Sequence, residues 1–488
     1  MHGLSKSKVM AHRQCPKRLW LQANHPELAE ISPMGWVNIH NGNRIGEAAR
    51  TLYPDGLLID TLNPSEALRQ TRDALANDPA RPLFEAAFEA GGVLIRADVF
   101  LPGSGGAEMV EVKGSLSLEN YQREDAAIQA WVIRSSGMPL KSVTVAHANR
   151  DFRYIGRGNY RGLLLEQDVT SDAHALAPQV GDWITAARST LGGPQPEVAV
   201  GPHCKDPYEC PFRKHCNGQS SQGRYPIDEL FRASQKLKQS LRASGFTDLR
   251  DVPRDLLRSD LQARIQDAAI SGQPYLDDRA AATLRRAPYP RYYLDFETIR
   301  VGCPIWPDTG PGMVIPFQWS CHIEHAAGQV EHREFLAADA GDPRRAFGER
   351  LLAATGTIGP VYAYHASFER LRLKDLAVAL PDLAGRIDAL TARIEDLEVI
   401  TRDSYYHPDM RGSWSLKNVL PTIAPDLDYA NLAVRDGNFA QLAYLEMIDD
   451  STLEDRRQEI RGQLLEYCGR DTEALVRLTR FLEGAHAG

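Results

Sequence analysis

Two groups of side chains restrict this sequence more than any other feature: Asp98 with Glu111 and Lys113, and Asp295 with Glu297, Glu369, Tyr467 and Asp471. Gathered carboxylates repel one another unless a cation neutralises them. Each group therefore needs a framework that brings its members around a divalent ion, Mg2+ or Mn2+. The segments GGVLIRADVFLPG and AEMVEVKGS alternate as two strands of a hairpin, with Asp98 on the first and Glu111 and Lys113 on the second. Residues two apart in a strand face the same side, so Glu111 and Lys113 share a face. By the same rule Asp295 and Glu297 share a face of a strand in PYPRYYLDFETI. Glu369 opens a helix in YAYHASFERL, and Tyr467 and Asp471, four apart in the closing helix GQLLEYCGRDTEALVRLTRFL, lie on one side of it.

A chain of 488 residues is too long for a single core. Helical and strand-like patterns alternate over 1–222 and end in the polar NGQSSQGR. Residues 223–287 carry apolar positions at helical spacing and read as a helical connector, and 288–488 restarts an α/β pattern. The fold class expected is α/β, in two domains and a connector. No apolar run approaches the ~18 residues that cross a bilayer, which predicts a cytoplasmic protein with no membrane partner. The net charge of -8 neither supports nor excludes a nucleic-acid binder: residues 1–26 hold Lys6, Lys8, Arg13, Lys17 and Arg18 without a carboxylate, and loaded acidic centres would not repel phosphate.

Seven cysteines, an odd number in a long chain, argue against a disulfide framework and for thiols or metal ligands. Cys204, Cys210 and Cys216 fall at equal intervals in GPHCKDPYECPFRKHC, with Cys15 far upstream. Four thiolates suit an iron–sulfur cubane or a zinc ion. Lys113 is the only lysine between Lys17 and Lys141 in a chain of eleven lysines and forty-five arginines, and only an amine can give up its proton.

Asp98, then Glu111-Val112-Lys113, then the helix NYQREDAAIQAWVI resembles the PD-(D/E)XK nuclease superfamily in its RecB-like branch. The resemblance implies a restriction-endonuclease-like domain over 1–222. Asp98 and Glu111 would be metal ligands, Lys113 would position or deprotonate the attacking water, and Gln129 stands at the family's downstream glutamine position. Glu47, in the upstream helix HNGNRIGEAAR, is the candidate first ligand; Gly46 stands where many relatives have histidine. One cysteine before this core and three after it are similar in order and position to RecB-like nucleases of the AddB type and to CRISPR-associated four-cysteine exonucleases. That likeness implies a 4Fe-4S cluster on Cys15, Cys204, Cys210 and Cys216, with structural Zn2+ as the alternative. The second group, Asp-x-Glu, a Phe-acid pair and Tyr-x-x-x-Asp, is similar to DEDD exonucleases of the ribonuclease-H-like fold in their tyrosine variant. Over 288–488 this implies that Asp295, Glu297, Glu369 and Asp471 hold two cations while Tyr467 orients water. Glu369 stands where aspartate is usual, and His365 would contact substrate.

These likenesses imply a metal-dependent DNA nuclease, an exonuclease on single strands or DNA ends that leaves a 5′-phosphate, with 3′-to-5′ polarity in the second centre. Two other readings stay open: a 3′-to-5′ RNA exonuclease that uses only the C-terminal domain, and a non-catalytic nucleic-acid-binding protein. The segment YYHPDMRGSWSLKNVLP suits base stacking and phosphate contact, or a packed loop. The partners expected are DNA, RNA in the second reading, and a helicase or defence partner, since repair, invader defence and CRISPR adaptation all employ such an enzyme. Oligomeric state is not legible.

Overall fold

Glu111 and Lys113 sit where they do because AEMVEVK alternates: Ala107 and Met109 enter the core, and the two charged residues continue that same face. In the computed structural model, described for residues 3–218, 223–427, 429 and 431–484, the chain forms two units. One spans 1–220 with 301–313, the other 221–300 with 314–488. Both are mixed α/β.

The first unit contains strands β1 (Leu4–Ser5), β2 (Leu57–Leu58), β3 (Leu83–Ala90), β4 (Val93–Leu101), β5 (Ala107–Lys113), β6 (Leu140–Ala148) and β7 (Leu164–Asp168). Its helices are α1 (Lys6–Gln14), α2 (Pro16–Asn24), α3 (Pro33–Arg50), α4 (Pro64–Asn77), α5 (Asn120–Ser135), α6 (Thr170–Gly192) and α7 (Arg213–Gly218). The sheet runs β2-β3-β4-β5-β6-β7, with β1 beside β4. β3, β4 and β5 are antiparallel; β5 and β6 are parallel, as a crossover through α5 requires. Residues of α1, α2, α5 and α6 cover one face.

Sequence reading predicts one helix over 4–22, and the structure divides it in two. A residue before proline is pushed out of the helical region, and Cys15, ahead of Pro16, is extended at φ -164°. The break places this cysteine at the joint between α1 and α2. A second irregularity lies at Asp98. Ala86 and Ala97 belong to the helix-covered face, Phe84 and Val99 to the opposite one, and Leu83 and Phe100 to the first again. The faces swap where Glu85 takes φ 56° opposite Asp98. Distortions of this kind re-aim a side chain out of regular alternation.

The second unit holds β8 (Tyr275–Leu276), β9 (Arg291–Arg300), β10 (Val314–Ala326), β11 (Gln329–Leu336), β12 (Val361–Ala363), β13 (Ile394–Asp396) and β14 (Tyr405–Tyr406). Its helices are α8 (Gln235–Ala243), α9 (Asp260–Ser271), α10 (Arg279–Arg286), α11 (Arg344–Ala354), α12 (Ser367–Ala379), α13 (Ala384–Thr391), α14 (Leu397–Ser404), α15 (Leu416–Val419), α16 (Gly437–Met447) and α17 (Glu454–Leu482). The main sheet is ordered β11-β10-β9-β12-β13, antiparallel at one end and parallel at the other. In β9, Tyr292, Leu294 and Phe296 pack with residues of α11, α12 and α13, which turns Asp295 and Glu297 to the face that carries α17. β10 bulges between Pro316 and Gln318, opposite Thr298 and Glu297. Proline has no N–H to donate to the ladder, and bulges recur beside functional sites.

Two features refine the organisation. The helical 223–287 segment packs into the second unit: Tyr225, Ile227, Leu241 and Ile265 share one core with Tyr293, Tyr362, Leu475 and Leu478. Residues 301–313 group with the first unit, where Cys303 packs against Ile45, Ala48 and Phe152. The aromatic segment 405–421 also resolves toward packing, since Tyr405, Tyr406 and Trp414 are buried in the core.

Candidate metal centres

The first centre lies where β4, β5, α1 and α5 meet. Asp98 Oδ2 accepts the Val112 N–H at 2.7 Å, which fixes it against the neighbouring strand. Glu111 is buried and accepts Lys113 Nζ and Lys6 Nζ on the same oxygen, Oε1, both at 2.7 Å; its Oε2 accepts the Gln129 amide. Asp125 completes the group, with Oδ2 2.6 Å from Lys113 Nζ and 3.3 Å from Lys6 Nζ. Burial opposes charge on Glu111, but Lys113 and Lys6 override it and hold the carboxylate well below its ordinary range. Asp98 goes the other way: burial, then repulsion from Glu111, pushes it up to about 8 against the charges of Lys6 and Lys113. Asp125 Oδ1 and Gln129 Oε1 are buried without a hydrogen-bond partner, acceptors of the kind a cation would satisfy.

Glu47 does not join this group. It is exposed on α3 and pairs with Arg44 at 3.0 Å, and no hydrogen bond or ion pair links it to Asp98 or Glu111 among the described residues. Two residues that sequence reading missed take part instead. Asp125 had a local signal, four positions before Gln129 on one helix face. Lys6 had none beyond the basic run at the start.

The second centre is more acidic. Asp295 and Glu297 on β9 meet Cys468 on α17, with one donor atom of each within 4.8 Å of the others. Asp471, one turn along α17, accepts Tyr429 Oη at 2.6 Å. Burial first, then mutual repulsion with Asp471, Glu297 and Glu369, pushes Asp295 well above the carboxylate range. Glu297 is raised for the same reasons, with Lys417 opposing. Burial raises Glu369 to about 8, and Asp471 to about 6 against the hydrogen bond from Tyr429 and the charge of Lys417. Glu369 Oε2 is buried and unpartnered. Tyr467 is buried beside these acids, with Lys417 Nζ 5.6 Å from its ring centroid and equally far from that of Tyr429. His365 is exposed at φ 61°, its Nδ1 3.7 Å from Glu398. Cys468, Tyr429 and Lys417 were not anticipated at this centre; Cys468 had a cue, next to Tyr467 and three before Asp471, and Lys417 lay in the aromatic and basic segment 405–421.

Cys15, Cys204, Cys210 and Cys216 line one small cavity with Leu21 and Phe212. The loop is sewn to the first helix, because Gln14 Nε2 lies 2.9, 3.2 and 2.7 Å from the carbonyls of His203, Asp206 and Tyr208. Burial pushes the Cys210 and Cys216 thiols up. Among the described residues the one set of three donors within 4.8 Å is Asp295–Glu297–Cys468.

A protonated acid whose pKa rises on folding holds a proton that the unfolded chain releases, so its contribution to stability is lost as pH climbs from about 4 toward the folded value. For Glu369 that window ends near 8, and Asp295 and Glu297 act in the same direction. A cation bound there would take the place of those protons. Mn2+ at about 100 times its pH 8 Kd is expected to add about 2.7 kcal/mol at pH 8 and far less at pH 5. Calorimetry that gives equal Mn2+ increments at both pH values would show that these acids do not receive it.

Residues 292–415 match a family described as a domain of unknown function (DUF2779). No curated protein matches the chain. Among the described residues no helix is long and apolar enough to cross a membrane.

Proposed function

We propose that the chain is a metal-dependent nuclease in which a RecB-like PD-(D/E)XK domain of restriction-endonuclease-like fold precedes a DEDD-type exonuclease domain of ribonuclease-H-like fold. One observation carries the reading: Asp295, Glu297, Glu369 and Asp471 are brought together under cover, where burial and mutual repulsion resist their ionisation. Bound Mg2+ or Mn2+ would relieve that repulsion, polarise phosphate and lower the pKa of a water. In this centre Asp295, Glu297 and Asp471 hold the cations, Glu369 offers its unpartnered oxygen, and Tyr467 orients the water. In the other, Asp98, Glu111 and Asp125 supply the acids. Lys113 stands between two of them, placed to position water and offset charge building on phosphate. The four cysteines that line one cavity would hold a 4Fe-4S cluster, with structural Zn2+ as the alternative.

The substrate proposed is DNA, as single strands or ends. A second reading, RNA trimming by the C-terminal centre alone, has one observation in its favour: both Glu111 oxygens are already engaged, by Lys6, Lys113 and Gln129. End-labelled single- and double-stranded DNA and RNA, incubated with Mn2+ and then with chelator, test both. Cleavage of DNA that stops on chelation is expected. Folded protein that leaves every strand intact with Mn2+ or Mg2+ overturns the proposal.

A further inference from the structure

Lys6 stands outside every motif that the sequence displays, yet its ammonium is seated in the first centre. It is the first residue of α1, capped by Ser5, and its Nζ shares both of the acceptor atoms that Lys113 uses, Glu111 Oε1 and Asp125 Oδ2. Lys113 and Lys6 each contact both carboxylates, so the two ammonium groups together balance the charge of that pair and Lys113 alone would leave it one negative charge in excess. The two unpartnered acceptors beside it, Asp125 Oδ1 and Gln129 Oε1, mark room for a ligand that the two ammonium groups leave unserved.

We infer that Lys6 is a positioning residue that sets the charge of the first centre, competing with the divalent cation for Glu111 and Asp125 and reserving positive charge for the phosphodiester. The inference rests on the nuclease reading of this centre. Once a divalent cation is bound, three carboxylates against two ammonium groups and that cation leave one positive charge in excess, which matches one phosphodiester. Without Lys6 the loaded centre is neutral. Removal of this one ammonium should therefore move two affinities in opposite directions: the cation, freed of a competitor, binds more tightly, and the nucleic acid binds more weakly. A lysine that only anchors α1 would loosen both.

The test uses the full-length protein with Asp295→Asn and Glu297→Gln, which leaves the first centre as the strong Mn2+ site. Mn2+ binding is followed by electron paramagnetic resonance. Binding of a cleavage-resistant phosphorothioate oligothymidylate in saturating Mn2+ is followed by anisotropy. Lys6→Gln, with Lys6→Met as a second uncharged variant, is expected to tighten Mn2+ about tenfold and weaken the oligonucleotide about tenfold, while Lys6→Arg stays near the parent in both. Equal or same-direction shifts in the folded variants overturn the role of Lys6. A parent protein that binds no Mn2+ at all overturns the nuclease reading of this centre instead.

Discussion

Lys113→Ala, made in a protein whose second centre carries Asp295→Asn, is expected to cleave single-stranded DNA at no more than about one hundredth of the rate of that parent, a loss of ~2.7–4 kcal/mol in transition-state stabilisation, while it still binds Mn2+. Lys113 Nζ contacts Glu111 at 2.7 Å and Asp125 at 2.6 Å. Those acids keep Lys6 after the substitution, so the cluster is not stripped of positive charge. The effect should fall on kcat, because an ammonium that offsets developing charge acts chiefly in the transition state. Asp295→Asn itself, measured beside wild type, separates the centres. It removes one of four mutually repelling acids, so the fold should tolerate it or gain, and any fall in rate reports on the second centre. A Lys113→Ala protein as fast as its Asp295→Asn parent would mean that the first centre is not the engine, and an Asp295→Asn protein as fast as wild type would make the second a passive one.

How much of this was legible differs between the centres for a physical reason. Strand alternation and the helix repeat are local rules, and they put Glu111 with Lys113, Asp295 with Glu297, and Tyr467 with Asp471 from spacing alone. Lys6 reaches Glu111 across 105 positions and Tyr429 reaches Asp471 across 42, distances over which no periodicity speaks. Glu47 stands at an exposed helix position paired one turn away with Arg44, a placement that its spacing in the sequence does not reveal. The aromatics of 405–414 were ambiguous because a stacking surface and a core draw on the same residues. Only burial separates them, and burial here depends on strands and helices far along the chain. The break at Cys15 was readable from Pro16, since the pre-proline restriction is local.

Cys210→Ser is expected to bleach the protein and to loosen the first unit by on the order of 5 kcal/mol, the chain-closure contribution of a cross-link spanning a loop of this size. Cys15 and Cys204 lie about 190 positions apart in the chain, and a cluster held by both removes that freedom from the unfolded state. Protein purified without oxygen should be brown from thiolate-to-iron charge transfer, and the colour should go with any of the four cysteines. Hydrogen exchange should rise first in α1, in α2 and over 198–218, the segments that the clasp and Gln14 hold together. Because α1 carries Cys15 at one end and Lys6 at the other, loss of the clasp should also release the ammonium from Glu111 and lower DNA binding before the fold is lost. Colourless wild-type protein with stoichiometric zinc would replace iron by zinc in this account. Wild-type protein that holds neither metal, and is no less stable with serine at Cys210, would end the case for a clasp.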